Sequence, residues 1–385
     1  MKIAIVVTDA YSAWHFRGYL IRKLIENNHT VSVITPYGDY VKNIQELGAN
    51  HISVKVNRFM NPIADLKFFL ELHSIYKQEQ FDVVHHYSIK PIVYGSIAGR
   101  LAGIKWICGS ITGLGLLFLQ RQNIKAKCLK YFALMLYRIA FKFCDRAHFQ
   151  NPDDLELFLN HGIVKKEQTV LIESSGVPIN VFSNIAVDQK KLIKLKKELG
   201  WHNSTKLVSM IARPMWSKGV KDFIKASHIL GEENKNILFI LVGGVEQENP
   251  DKVSEEYLKE NETIYFKYLG WRSDIREILE LSTLVSLPSC YREGVPKSLI
   301  EALAMGKPIV TTMNVGCKET VEHGKNGYLV PCEKPKALAT AIKEIVTNKQ
   351  LTKIFGEHSR QLAVNKFDIN KINSRIIFEV YGIKQ

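Results

Sequence analysis

Short aliphatic runs recur along this chain, each followed by a stretch of helical periodicity, and the whole alternation occurs twice. Lys2–Val7, Thr30–Thr35, His51–Val54, Asp82–His85 and Trp106–Gly109 read as parallel strands, with helical segments over Phe16–Asn27, Asp65–Lys77 and Ile92–Ala102 between them. Such alternation predicts a doubly wound α/β sheet, whose ligands sit beyond the carboxyl ends of the strands. Lys206–Ile211, Ile237–Val242, Ile264–Tyr268, Thr283–Leu287 and Pro308–Thr311 repeat the pattern. The 385 residues are enough for two such domains. The expected layout is a first domain over 1–180, a polar, Lys-rich linker over 181–205, a second domain over 206–368 and a final helical segment over 369–385.

Charge narrows the choice of partners. There are 52 basic against 38 acidic residues, a formal net charge of +14, which calls for something anionic: nucleic acid, an acidic membrane surface or a phosphorylated substrate. From Val83 to Cys144 the chain has no Asp or Glu, while Lys90, Arg100, Lys105, Arg121, Lys125, Lys127, Lys130, Arg138 and Lys142 are all present. Solvated surfaces mix signs, so a run of one sign reads as a directed field. No RNP, zinc or helix-turn-helix pattern accompanies it, which argues against nucleic acid. The longest apolar stretches, such as Ile111–Leu119, fall well short of a membrane span, and M-K-I-A-I-V-V opens as a buried strand without signal-peptide features. The six cysteines form no C-x-x-C pair or spaced framework and read as free thiols of a reducing cytoplasm.

Chemistry concentrates between Ser286 and Pro331. A strand ends at Pro288, and Pro296–Met305 follows as a helix, with Leu299, Ile300 and Leu303 on one face and Gly306 at its end. Glu293 therefore falls on the loop before the helix and Glu301 on its second turn. Gly294 frees the loop, and the N–H groups opening the helix, around Val295, Pro296, Ser298 and Leu299, face an anion. Carboxylates on both sides of an anion seat suit a sugar nucleotide, one gripping sugar hydroxyls and the other the ribose diol. Taken alone, the same spacing fits a helix cap and an ordinary exposed carboxylate. Upstream, A-R-P-M-W-S-K-G places Arg213 and Lys218 at another strand's carboxyl end, where cations suit phosphates. No D-x-D motif or metal-spaced His/Cys cluster occurs.

The string E-G-V-P-K-S-L-I-E-A-L-A-M-G-K-P-I-V closely resembles the donor-site signature of family 4, the retaining glycosyltransferases of the GT-B fold. The resemblance implies two Rossmann-like domains facing across a cleft, with the last helix crossing back to brace the first. It also implies R-x4-K-G as a donor-diphosphate site, so that Glu293, Arg213 and Lys218 are the catalytic candidates and Glu301 the ribose anchor. The loops around Gly243 and Arg272 (V-G-G and L-G-W-R-S-D) resemble the family's nucleotide side. Fixed protein charge then neutralises the leaving diphosphate, and neither metal nor cofactor is expected.

Other strings resemble the branch of that family acting on polyprenyl-diphosphate-linked sugars. His15 and Arg17 lie in an H-F-R cluster that would face the acceptor. D-V-V-H-H-Y-S-I-K-P resembles a strand-end acceptor motif, with His85 present, Tyr87 where many members carry His, and Lys90 placed for an acceptor phosphate. T-G-L-G-L-L-F, with Thr112 and Gly113, is similar to the loop of transferases extending undecaprenyl-diphosphate glycans. Ile124–Phe143 combines Leu129, Phe132, Leu136 and Ile139 with five cations, as in a helix lying on anionic lipid; a core helix with snorkelling cations has the same make-up. The resemblance is closest to bacterial N-acetylgalactosaminyltransferases of glycan assembly. It implies an α-glycoside formed from a UDP-sugar on an undecaprenyl-diphosphate-linked saccharide at the inner face of the plasma membrane. A lipopolysaccharide-core or soluble acceptor, or an inactive membrane-bound sugar-nucleotide binder, are the alternatives.

Overall fold

Two parallel sheets carry the structure, a computed structural model that describes residues 1–57, 61–118 and 124–383, without the side chains of Leu116 and Lys125. Contacts divide the chain into a first unit, Met1–Ser175 with the terminal segment from Ile369, and a second, Gly176–Asp368.

The first sheet comprises β1 (Lys2–Val6), β2 (Thr30–Thr35), β3 (Asn50–Ser53), β4 (Val83–Tyr87), β5 (Trp106–Ile111), β6 (Arg146–Phe149) and β7 (Thr169–Leu171). Their order is β3-β2-β1-β4-β5-β6-β7, all parallel. The chain steps outward from β1 one way, then restarts beside it at β4, so the connections leave β1 and β4 in opposite directions and open a crevice at their carboxyl ends. The second sheet comprises β8 (Lys206–Ile211), β9 (Ile237–Val242), β10 (Phe266–Tyr268), β11 (Ser282–Leu287), β12 (Ile309–Thr312) and β13 (Gly327–Val330) in the order β10-β9-β8-β11-β12-β13. Its reversal falls between β8 and β11, the two strands that lead into R-P-M-W-S-K-G and the Glu293 loop.

Alternation along β4 sorts its side chains. Val83 and Tyr87 join the core beneath the helix Ala10–Glu26 and the terminal segment, while Val84 joins the core under Pro62–Glu79. The helix expected at Phe16 begins at Ala10, because the Asp9 carboxylate caps it by accepting from the Ser12 N–H at 2.7 Å.

Residues 181–205 do not form a linker. Gln189–Leu199 is a helix of the second unit, and Leu192, Leu195 and Leu199, one stripe at helical spacing, are buried in that unit's core beneath a Lys-rich outer face. The terminal segment runs as Ile369–Arg375 and one π-helical turn, Ile376–Val380. It belongs to the first unit, where Ile372, Ile376, Ile377, Val380 and Tyr381 are buried and Trp106 Nε1 donates to Val380 O at 2.8 Å.

Candidate functional site

In the second unit β11 stops at Pro288, and the loop to Pro296 holds two of the three catalytic candidates together. Lys218 Nζ donates to Glu293 Oε1, with the side chains only 12% and 10% exposed. Ser289 Oγ donates to the same oxygen at 3.1 Å, and the ammonium stands 5.0 Å from the Tyr291 ring centroid. Lys218 closes a 3-10 turn, Trp216–Lys218, that ends at Gly219 in the left-handed region (φ 81°). A Cβ on Gly219 would lie 2.1 Å from Pro288 O, so glycine there lets the β8 and β11 loops touch. Cys290 N and Tyr291 N both donate to Ser217 O, at 2.8 and 3.0 Å, tying the loops backbone to backbone.

Gly294 is not the left-handed hinge that the string suggests. That role falls to Gly316 (φ 79°), whose Cβ would meet Gly294 O at 2.2 Å. Asn314 Nδ2 donates to Tyr291 O at 2.7 Å and to Ser289 O at 3.3 Å, and Thr312 Oγ1 also donates to Ser289 O. Neither Asn314 nor Gly316 stands out in sequence. Their signal is position, T-T-M-N-V-G at the carboxyl end of β12.

The helix after the loop is Lys297–Ala304, with Pro296 at the cap rather than in the first turn. Val295 and Leu299 are buried in the unit's core, and the Leu299 N–H is already donated to Pro296 O at 3.2 Å, whereas Ser298 stays partly open. Burial pushes the Glu301 carboxyl up to about 7, against the pull of Lys297, whose Nζ is 4.0 Å away. Arg213 is half-exposed and pairs with Glu246 at 2.7 Å, a contact water weakens and a diphosphate can displace. Gly243 is fixed by close approach, since a Cβ would lie 2.1 Å from Ala212 O.

Arg272, expected on the nucleotide side, is held by carboxylates of its own unit. Its fork grips Asp274 through two bonds, at 2.8 and 2.6 Å, and a third, at 2.8 Å, reaches Glu198 on the helix Gln189–Leu199. With both carboxylates in place the guanidinium clasps two segments of its own unit.

In the first unit, three residues expected at the acceptor are enclosed. His85, Tyr87 and Arg17 are almost wholly buried, because the β4 register turns positions 85 and 87 toward Ala10–Glu26 and the terminal segment. Arg17 lies 3.9 Å from the Tyr87 ring centroid. The Tyr87 and Tyr381 hydroxyls share His85 Nδ1, at 3.0 and 2.9 Å; His85 Nε2 meets Ser110 Oγ at 2.6 Å, which meets His148 Nδ1 at 2.6 Å. Burial holds both imidazoles below their ordinary value, His148 to about 4. This is a structural network that ties helix to sheet, and the acceptor reading of His85, Tyr87 and Arg17 is corrected accordingly.

Lys90 is also engaged, donating to the buried Asp65 at 2.6 Å; Arg100 pairs with Asp145 at 2.8 Å. The one-signed run is thus partly balanced by acids from outside it. His15 remains near the surface, its ring 4.2 Å from that of Tyr11 and 4.8 Å from that of Tyr40. Thr112 and Gly113 follow β5 at its carboxyl end, partly open, with Gly113 at φ 108°. Arg121 lies outside the described residues.

The helix Ile124–Phe141 has two apolar faces. Ala133, Leu134, Tyr137, Ala140 and Phe141 are buried in the unit's core, whereas Leu129, Tyr131, Phe132, Met135 and Ile139 are exposed among Lys127, Arg138 and Lys142. Leu136 lies between, partly buried. Among the described residues no helix is long and apolar enough to cross a membrane, and no group of three or more His, Cys, Asp or Glu is placed to hold a metal.

Residues 2–151 match the family described as glycosyl transferase 4-like, and 193–362 match glycosyl transferases group 1. The N,N'-diacetylbacillosaminyl-diphospho-undecaprenol alpha-1,3-N-acetylgalactosaminyltransferase of Campylobacter jejuni is 31% identical, over 98% of this chain and 97% of that protein. The UDP-Gal:alpha-D-GlcNAc-diphosphoundecaprenol alpha-1,3-galactosyltransferase of Escherichia coli is 28% identical, over 82% and 79%. Among solved structures, Anabaena Alr3699/HepE in complex with UDP and glucose superposes with a TM-score of 0.78 at 21% identity, covering all of both chains.

Proposed function

The chain belongs to the GT4-like glycosyltransferases, and from that membership we propose that it moves a sugar, an N-acetylhexosamine, from a UDP-sugar to an undecaprenyl-diphosphate-linked saccharide with retention. The observation that carries the reading is the Lys218–Glu293 pair, set at the strand-order reversal of the second sheet. There a carboxylate that can accept from sugar hydroxyls is bonded to a cation that can face the diphosphate. The names of the two bacterial transferases supply the acceptor class, and the UDP-bound likeness the donor class.

Lys218 and Arg213 would draw off the charge that builds on the leaving diphosphate, Glu293 would orient the donor sugar, and Glu301 would accept from the ribose hydroxyls. None of the described residues is an obvious nucleophile for a covalent double displacement. The reaction is therefore read as front-face substitution, with the leaving diphosphate taking the acceptor's proton. No metal is required on this reading, since Arg213 and Lys218 would take up the charge that a metal otherwise neutralises. The exposed apolar face of Ile124–Phe141, rimmed by cations, would rest on the anionic inner face of the plasma membrane, where such an acceptor is anchored.

The test is incubation with a panel of UDP-sugars and an undecaprenyl-diphosphate monosaccharide, read by mass spectrometry. One UDP-sugar should extend the lipid by a single residue joined in α-linkage. Transfer to a soluble or lipopolysaccharide-core acceptor instead would overturn the acceptor class, and no transfer from any donor would overturn the whole.

A further inference from the structure

Two thiols that the proposed transfer does not use sit at the edge of the Glu293 loop. Cys290 precedes Glu293 by three residues, and Cys332 follows β13. Strands β11 and β13 flank β12, so their carboxyl-terminal loops converge and bring the two cysteines into one neighbourhood. Cys332 Sγ also lies 4.0 Å from Ser289 O, the carbonyl gripped by Thr312 and Asn314. Both cysteines are partly open to solvent, whereas Cys108, Cys144 and Cys317 are buried. The neighbouring Cys290 thiol holds the Cys332 thiol below its ordinary value and favours the thiolate that reacts.

We propose that Cys290 and Cys332 form a dithiol modification site for peroxide-class oxidants, and that their disulfide weakens the grip of the adjoining loop on the nucleotide. The second half rests on the donor-site reading above. The Cys332 thiolate attacks the peroxide O–O bond, forming a sulfenic acid and releasing an alkoxide or hydroxide that takes a proton. The Cys290 sulfur then attacks the sulfenic sulfur and expels water. Two thiols and one peroxide give one disulfide, one water and one alcohol or second water; sulfur is oxidised by two electrons and the peroxide reduced by two. Because Cys290 N is bonded to Ser217 O, beside Lys218, drawing Cys290 toward β13 strains the joint on which the Lys218–Glu293 pair depends.

The purified full chain is treated with hydrogen peroxide, remaining thiols are alkylated, and peptides are mapped by mass spectrometry. A Cys290–Cys332 linked peptide that dithiothreitol reverses is expected, with Cys128, exposed on the first unit, reporting on indiscriminate oxidation. UDP affinity should fall several-fold on oxidation and recover on reduction, and Cys332→Ser should show neither change. Both thiols staying equally open to alkylation, or Cys290 over-oxidised with Cys332 free, overturns the site. A linked peptide with unchanged UDP affinity overturns the coupling to the loop. Absence of UDP binding in the reduced protein would count against the donor-site reading, while the linked peptide still decides the thiol site.

Discussion

Lys218 and Glu293, 75 residues apart in the chain, meet in one ion pair almost withdrawn from water. Removing either partner leaves the other charge stranded in a poorly hydrated place. Glu293→Ala should abolish transfer, and Lys218→Ala should lower turnover by ~10²–10³-fold, the usual cost of losing one donor to a developing anion. The double variant should be no worse than the weaker single, since the two act as a unit. Initial rates, with circular dichroism to show the fold intact, check this; near wild-type rates in both singles would refute the site.

On the proposed reading, Arg213, Lys218 and the N–H groups ahead of Lys297–Ala304 would meet the charge of a leaving diphosphate. Turnover should therefore persist in excess EDTA, and added magnesium or manganese should change it less than about twofold. Complete loss in chelator, restored by one divalent ion, would sink metal independence.

A ribose-anchoring Glu301, as proposed, would give donor binding a pH signature. Its carboxyl is raised to about 7 by burial, and ribose hydroxyls donating to it favour the ionised form. Binding then releases a proton, so UDP-sugar affinity should rise with pH through 7. In stability the sign reverses: the folded protein holds this proton where the unfolded chain has lost it, so the contribution declines as pH climbs from 4.5 toward 7. Calorimetric titration at several pH values should give a sloping affinity for wild type and a flat, weaker one for Glu301→Gln. Parallel curves would refute the ribose-anchor role.

The fold was legible because parallel strands leave an aliphatic trace that only a sheet covered on both faces can use, and the donor motifs fall where two such strands end. The strands that escaped notice, R-A-H-F at β6, T-V-L at β7 and G-Y-L-V at β13, are short and carry polar or glycine positions, and the last two lie at sheet edges. With β6 unseen, His148 could not be placed beside Ser110. The linker reading failed because lysines on one face of Gln189–Leu199 outweigh three buried leucines in a count of composition. The acceptor side misled for a geometric reason: a motif fixes which residues lie near a strand end, whereas the face to which His85 and Tyr87 turn depends on register. Lys90 and Arg100 found their acids, Asp65 and Asp145, outside the acid-free window.

The buried imidazoles make stability acid-sensitive. Burial, against the help of the Ile172 carbonyl, keeps His148 neutral down to about 4, below its ordinary value of 6.5. The unfolded chain takes up a proton below 6.5 and the folded one does not, so the stabilisation is complete above 6.5 and is lost as pH falls toward 4. At ~1.4 kcal/mol per pH unit this comes to about 3 kcal/mol over the window. His148→Gln removes the titration while retaining a donor for Ile172 O. Its melting temperature should fall less between about pH 7 and pH 5 than the wild type's. Equal falls would show that the network is not the acid-labile element.

The two apolar faces of Ile124–Phe141 separate a packing role from a lipid-binding one. A helix that only closes the core has no use for Leu129, Phe132 and Ile139, each about two-fifths exposed on the side away from Leu134 and Tyr137. Replacing these three with serine spares the buried face, so the fold and UDP binding should be unchanged. Each large apolar side chain moved from water into the lipid interface contributes up to ~1.5 kcal/mol. The triple variant should thus lose up to about a thousandfold in affinity for anionic vesicles, measured by co-sedimentation. Raising salt should weaken the wild type further, by screening Lys127 and Lys142. If the triple serine variant sediments with phosphatidylglycerol vesicles as well as the wild type, the membrane seat lies elsewhere.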